Sequence, residues 1–208
     1  QKDKSIDYRQ EMRNFVVKIS EKAKSQNPAF QIIAQNGVEL ISTVETPDGQ
    51  LASEYISAID GQGQEDLFFG YAKDDKATPH KTTEYLKSYL SLLREAGKTV
   101  LTTDYCSSAE NIASSQQQNQ SAGFISFQVT SRNLDIIPET PIQNENSDDI
   151  TNLGQVKNFL YLINPENYPT KRDFIEAVCA TNYDLLIMDL FFNEEEISTN
   201  EIEQLRNK

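Results

Sequence analysis

Residues 98–130 read KTVLTTDYCSSAENIASSQQQNQSAGFISFQVT: an apolar run, a long polar stretch and a second apolar run. Both "TVLTTDY" and "GFISFQVT" are rich in β-branched and aromatic residues over strand length. The intervening "SSAENIASSQQQNQSAG" is read as a polar helix with a frayed end. Two strands joined through a helix run parallel, because a parallel pair needs a crossover of about a dozen residues or more.

The alternation extends both ways. Upstream, "DYRQEMRNFVVKISEKAK" places Met12, Phe15, Val16, Ile19 and Ala23 at helical spacing, the mark of an amphipathic helix. Pro28 breaks it, and "FQIIAQ" follows as a short buried strand. "LASEYISAID" is mixed, with a possible strand end at its close, and "EDLFFGY" is a strand candidate. "TTEYLKSYLSLLREAG" is a helix closed by Gly97. Downstream, residues 138–156 are rich in Asn, Asp, Pro and Gln and read as a linker or long loop. Then "KNFLYLIN" is a strand, "TKRDFIEAVCAT" a helix capped by Thr170, "YDLLIMDLFF" a strand, and "STNEIEQLRNK" a helix starting at Ser198 and running to Lys208. The pattern predicts a parallel sheet with helices outside, doubly wound or barrel. A last helix that has barely begun to cover its sheet suggests a fragment, as Gln1 suggests a processed or trimmed start.

With 208 residues the chain can bury a sizeable core. Its net charge of −13 argues against nucleic acid as a partner and suits a neutral or cationic ligand. Cys106 and Cys179 lack CxxC spacing, and His80 lies in a polar run, so metal sites and histidine-based catalysis have little to work with. No GxGxxG or GxxxxGK[ST] follows a strand, so no cofactor is expected, and acid–base chemistry falls to carboxylates. No apolar run reaches the ~20 residues of a membrane span.

In parallel α/β folds the carboxyl ends of the strands carry the site. The predicted ends bring Gln35, Asn36 and Glu39, then Asp60, Tyr71, Asp104, Tyr105, Arg132, Asn164 and Asp189 to one rim, with Thr130 and Ser131 beside them. Amides and acids bind sugar hydroxyls, tyrosine rings cover the apolar face of a pyranose, and glycoside hydrolysis needs two carboxyl groups.

These residues also carry a family resemblance. "MRNFVVKISEKAKSQNPAFQIIAQNGVELI", "YISAIDGQGQEDLFFGY", "AGKTVLTTDYC" and "GFISFQVTSRNLD" resemble the later half of the endo-α-1,4-polygalactosaminidase family of TIM-barrel glycoside hydrolases. "VKNFLYLINPENYP" and "NYDLLIMDLFFNEEEISTNEIEQL" resemble its beginning. Bacterial members often carry a cysteinyl-tRNA-synthetase-related label, and no synthetase signature accompanies it here. The resemblance implies a circularly permuted (β/α)8 barrel, with residues 1–137 matching later strands, 138–156 a linker, and 157–208 matching the first two. About six of eight strands are accounted for, and the segments matching strands three and four are absent.

The implied function is hydrolysis of an amino-sugar polysaccharide, in a secreted, periplasmic or cell-surface setting. Glu65 or Asp60 would be the proton donor, and Asp104 and Asp189 supporting carboxylates. Gln35, Asn36, Glu39, Tyr71, Tyr105, Arg132 and Asn164 would orient the sugar. The family's remaining acid would lie in the unmatched part, which makes the missing remainder of the barrel a possible partner. A carbohydrate-binding protein without chemistry is the alternative.

Overall fold

The computed structural model describes residues 6–207, so Gln1 and Lys208, on which the expectations about the chain's start and last helix bear, lie outside the described residues. Four strands, β1 (Ile33–Gln35), β2 (Gly61–Glu65), β3 (Thr99–Tyr105) and β4 (Ile125–Val129), form a parallel sheet in chain order. Helices α1 (Tyr8–Gln26), α2 (Ser53–Ala58), α3 (His80–Glu95) and α4 (Ala109–Ala122) precede or connect them. A second parallel pair, β5 (Phe159–Tyr161) and β6 (Leu185–Ile187), is joined through α5 (Lys171–Cys179). It lies beside β4, where the Phe127 and Phe159 rings sit 5.6 Å apart. A two-residue-per-strand hairpin, β7 (Phe191–Phe192) with β8 (Glu195–Glu196), leads to α6 (Thr199–Arg206). Among the described residues these strands do not close on themselves: β1 bonds only β2, and β6 only β5.

Alternation along each strand separates two apolar layers. Val100 of β3 and Cys106 just after it pack with Tyr89, Leu90 and Leu93 of α3. Leu101 and Tyr105 instead join Phe127, Val129 and Phe159. The second set continues through Phe174, Ile175 and Val178 of α5. No described helix is long and apolar enough to cross a membrane.

Three local expectations are corrected. The second strand is "GQGQE", not "EDLFFGY". Gly61 and Gly63 leave room for neighbours in the sheet: a Cβ at Gly61 would stand 3.0 Å from the Thr99 carbonyl, and one at Gly63 would overlap the Gln35 amide. The apolar run Leu67–Phe69 is buried in the loop that follows, where the Phe68 and Phe69 N–H groups donate to Asp104 Oδ1 at 2.9 and 3.2 Å.

Second, α1 turns Arg13 and Ser20 inward together with Val16, which packs against the core. Arg13 and Ser20 are inside, and the Arg13 guanidinium donates to the Leu40 and Ser42 carbonyls. Met12, Phe15 and Ile19 remain 48%, 58% and 42% exposed. Third, "YDLLIMDLFF" is not one strand. Asp189 Oδ1 accepts from the Phe191 N–H at 3.2 Å, and the chain turns there into the hairpin.

The polar helix α4 is ordered to its end. Ser108 caps its start, Gly123 closes it at φ +74°, and its inward residues Ser115 and Asn119 are satisfied by Asp104.

Candidate functional site

The carboxyl end of β2 carries Glu65, half-buried and facing the same side as Tyr105. Its position is set from β1. Asn36 and Gly37 both have left-handed backbones (φ 55° and 64°), which Asn and Gly adopt more easily than other residues. That turn aims the Asn36 amide at Glu65: Nδ2 donates to Oε2 at 3.0 Å, and Oδ1 accepts from the Glu65 N–H at 3.0 Å. The Asn36 backbone is itself held by β2: its N–H donates to the Gly63 carbonyl, and its carbonyl accepts from the Gln62 side-chain amide. The Tyr105 hydroxyl donates to the other carboxylate oxygen. Burial, then the bond to Glu65 and its charge, push the Tyr105 hydroxyl up, so Tyr105 stays a donor at neutral pH.

A second cluster braces the ring. The Arg132 guanidinium carbon lies 4.1 Å from the Tyr105 ring centroid, a cation–π contact. Its nitrogens bond Asp66 at 2.9 Å, Asp74 and the Gly70 carbonyl. Gly70, at φ +115°, is needed there, since a Cβ would overlap Asp66 and stand 3.0 Å from Arg132. Burial raises the Asp66 carboxyl and Arg132 opposes it. Three carboxylates against one guanidinium leave this rim net negative.

The structure brings together Asn36, Glu65, Tyr105 and Arg132 from the predicted set. Gln35 lies next to them on β1, over Gly63. Tyr71 follows the Asp66–Gly70 loop and is 58% exposed, and Asn164, half-buried, follows β5 with its N–H bonded to Leu134. Four predicted residues are not part of this arrangement. Asp60 sits before β2, at the amino end, where it accepts from the Ile32 N–H at 2.7 Å and pairs with Lys24 at 2.9 Å. Asp104 is fully buried on the opposite face of β3, bound to Phe68, Phe69, Ser115 and Asn119. Glu39 points to α3 and accepts from the Tyr85 hydroxyl at 3.0 Å. Asp189 is exposed and bonds its own turn. Asp60, Asp104 and Asp189 therefore do not share one hollow.

Sequence reasoning missed Asp66, Asp74 and Tyr161. Asp66 and Asp74 hide in a loop read partly as strand. Tyr161 occupies the alternate position to Phe159 on β5 and is close enough for the Glu65 charge to add to the burial that raises its hydroxyl. The Cys106 thiol is pushed up to about 12 by burial and is no nucleophile at neutral pH. His80 is an exposed first residue of α3. Among the described residues no group of three or more His, Cys, Asp or Glu could hold a metal ion.

No family model matches the chain. Over 127 residues, 61% of this chain, it is 34% identical to an uncharacterized protein of Deinococcus radiodurans. That match spans 37% of the Deinococcus protein.

Proposed function

We propose that the chain is the larger part of a circularly permuted (β/α)8 glycoside hydrolase that cleaves an amino-sugar polysaccharide resembling α-1,4-linked galactosaminan, outside the cytoplasm. The single observation that carries this reading is Glu65, held at a strand's carboxyl end by an amide on one oxygen and a phenol on the other. A carboxyl group so oriented suits acid–base work at a glycosidic bond. The net negative rim suits a protonated amino sugar, and the half-buried Tyr161 ring offers apolar surface to a pyranose. Parallel strands laid down in chain order support the barrel.

Hydrolysis needs a second carboxyl group across the scissile bond. Asp66, the acid next to Glu65 in the chain, is engaged by Arg132. That observation favours the second reading, a sugar-binding site without chemistry. The full polypeptide should release new reducing ends from α-1,4-galactosaminan, and Glu65→Gln should lower kcat by about 10²–10⁴-fold with an unchanged melting temperature. Equal turnover by the variant contradicts the role of Glu65. Calorimetric binding without turnover by the wild type selects the second reading.

A further inference from the structure

The end of β4 puts Arg132 among the groups expected to orient the sugar, yet its guanidinium is already engaged. Nε donates to Asp74, Nη2 to Asp66 Oδ1 and to the Gly70 carbonyl, and Nη1 to Asp66 Oδ2 at 3.4 Å. A guanidinium carries five N–H hydrogens, so one is left over. A face of its plane is occupied as well, since the guanidinium carbon stands 4.1 Å from the Tyr105 ring centroid.

Tyr105 is 2% exposed, and its hydroxyl donates to Glu65. The loop that fixes Arg132 also fixes the Tyr105 backbone. The Tyr105 N–H donates to the Phe69 carbonyl at 3.3 Å, and the Tyr105 carbonyl accepts from the Asp75 N–H at 2.9 Å. Those bonds leave the two side-chain torsions of the phenol to be set by what packs on the ring. Arg132 packs there. Burial is the largest influence on the hydroxyl and pushes it up, while the Arg132 charge pulls the other way and strengthens the phenol as a donor.

We infer that Arg132 is a positioning residue: clamped by Asp66, Asp74 and the Gly70 carbonyl, it holds the Tyr105 ring so that the hydroxyl meets Glu65, and it orients this tyrosine instead of the sugar. The consequence for turnover rests on the acid–base reading of Glu65 proposed above. The clamp on Tyr105 does not.

Exchange of the Tyr105 hydroxyl proton with water, followed by nuclear magnetic resonance on tyrosine-labelled protein, tests the clamp without any turnover. Arg132→Ala should speed that exchange by at least ~10-fold. Arg132→Lys should not restore it, because an ammonium has no plane to lay on the ring. Asp74→Asn removes an exposed partner of the guanidinium and should shift exchange in the same direction by less. In turnover, Arg132→Ala should lower kcat by about 10–10²-fold with KM unchanged, and should cost nothing further in a Tyr105→Phe background. Hydroxyl exchange unchanged in both Arg132→Ala and Asp74→Asn overturns the inference. So does a raised KM with kcat intact, which is the mark of a sugar ligand, or a full loss from Arg132→Ala on top of Tyr105→Phe. A wild type without turnover counts against the acid–base reading alone, and the exchange rates then decide the clamp.

Discussion

Asp104 and Asp75 anchor the loop between β2 and α3 from two directions, and their protons answer to opposite forces. Asp104 accepts from the Phe68 and Phe69 N–H groups, the Ser115 hydroxyl and the Asn119 amide, yet burial outweighs these bonds and raises its carboxyl above 3.8. Asp75 accepts from the N–H groups of Ser107 and Ser108 and from Asn111, and those bonds depress its carboxyl. A raised folded-state value means that the folded chain holds the proton more tightly. Stability from Asp104 is therefore present below its unfolded value near 3.8 and falls as pH rises through the raised folded value. Asp75 contributes stability above 3.8 that is lost as pH falls through its depressed value. Urea midpoints between about pH 3 and about pH 7 check both signs. Asp75→Asn should flatten the acid-side loss, and Asp104→Asn should remove the opposing slope. An Asp104→Asn protein with a shallower acid-side loss contradicts the assignment.

Within elements, β2 shows what the sequence could and could not reveal. It has no apolar side chain, only Gly61, Gln62, Gly63, Gln64 and Glu65, so hydrophobic alternation could not find it. The apolar run before it is helix α2, and the one after it is buried loop, which is why Asp60 was assigned to the wrong end of the strand. On β3 the strand was legible but its facing was not. One position of alternation separates Tyr105, which reaches Glu65, from Asp104, which is locked against α4. The same glycines give a graded prediction. Gly63→Ala meets only the end of the Gln35 side chain, which can swing aside, so its cost should be small. Gly61→Ala meets the Thr99 carbonyl and should cost about 1–3 kcal/mol. Gly70→Ala adds a strained φ of +115° to a clash with Asp66, and should cost about as much or more while releasing Arg132 from Tyr105. Chemical denaturation of the three variants measures the order. Gly63→Ala as the most damaging would contradict it.

At the scale of the molecule, alternation of strands and helices was legible because parallel sheets need long crossovers, and each of "TVLTTDY", "FISFQV" and "FLY" falls on an observed strand. Closure was not legible, since it depends on edges and on which side of α1 faces inward, and that helix buries arginine and serine through backbone carbonyls. Of the rim expected from strand ends, Asn36, Tyr105 and Arg132 hold together, joined through Glu65, which the family resemblance singles out. Whether this is where sugar binds is most directly answered by titrating an α-1,4-galactosamine oligosaccharide into isotope-labelled protein and mapping the amide shifts. The account predicts saturable changes centred on Asn36, Glu65, Tyr105 and Arg132, weakened in Glu65→Gln. Shifts confined to residues away from these four, or none at any concentration, would contradict it.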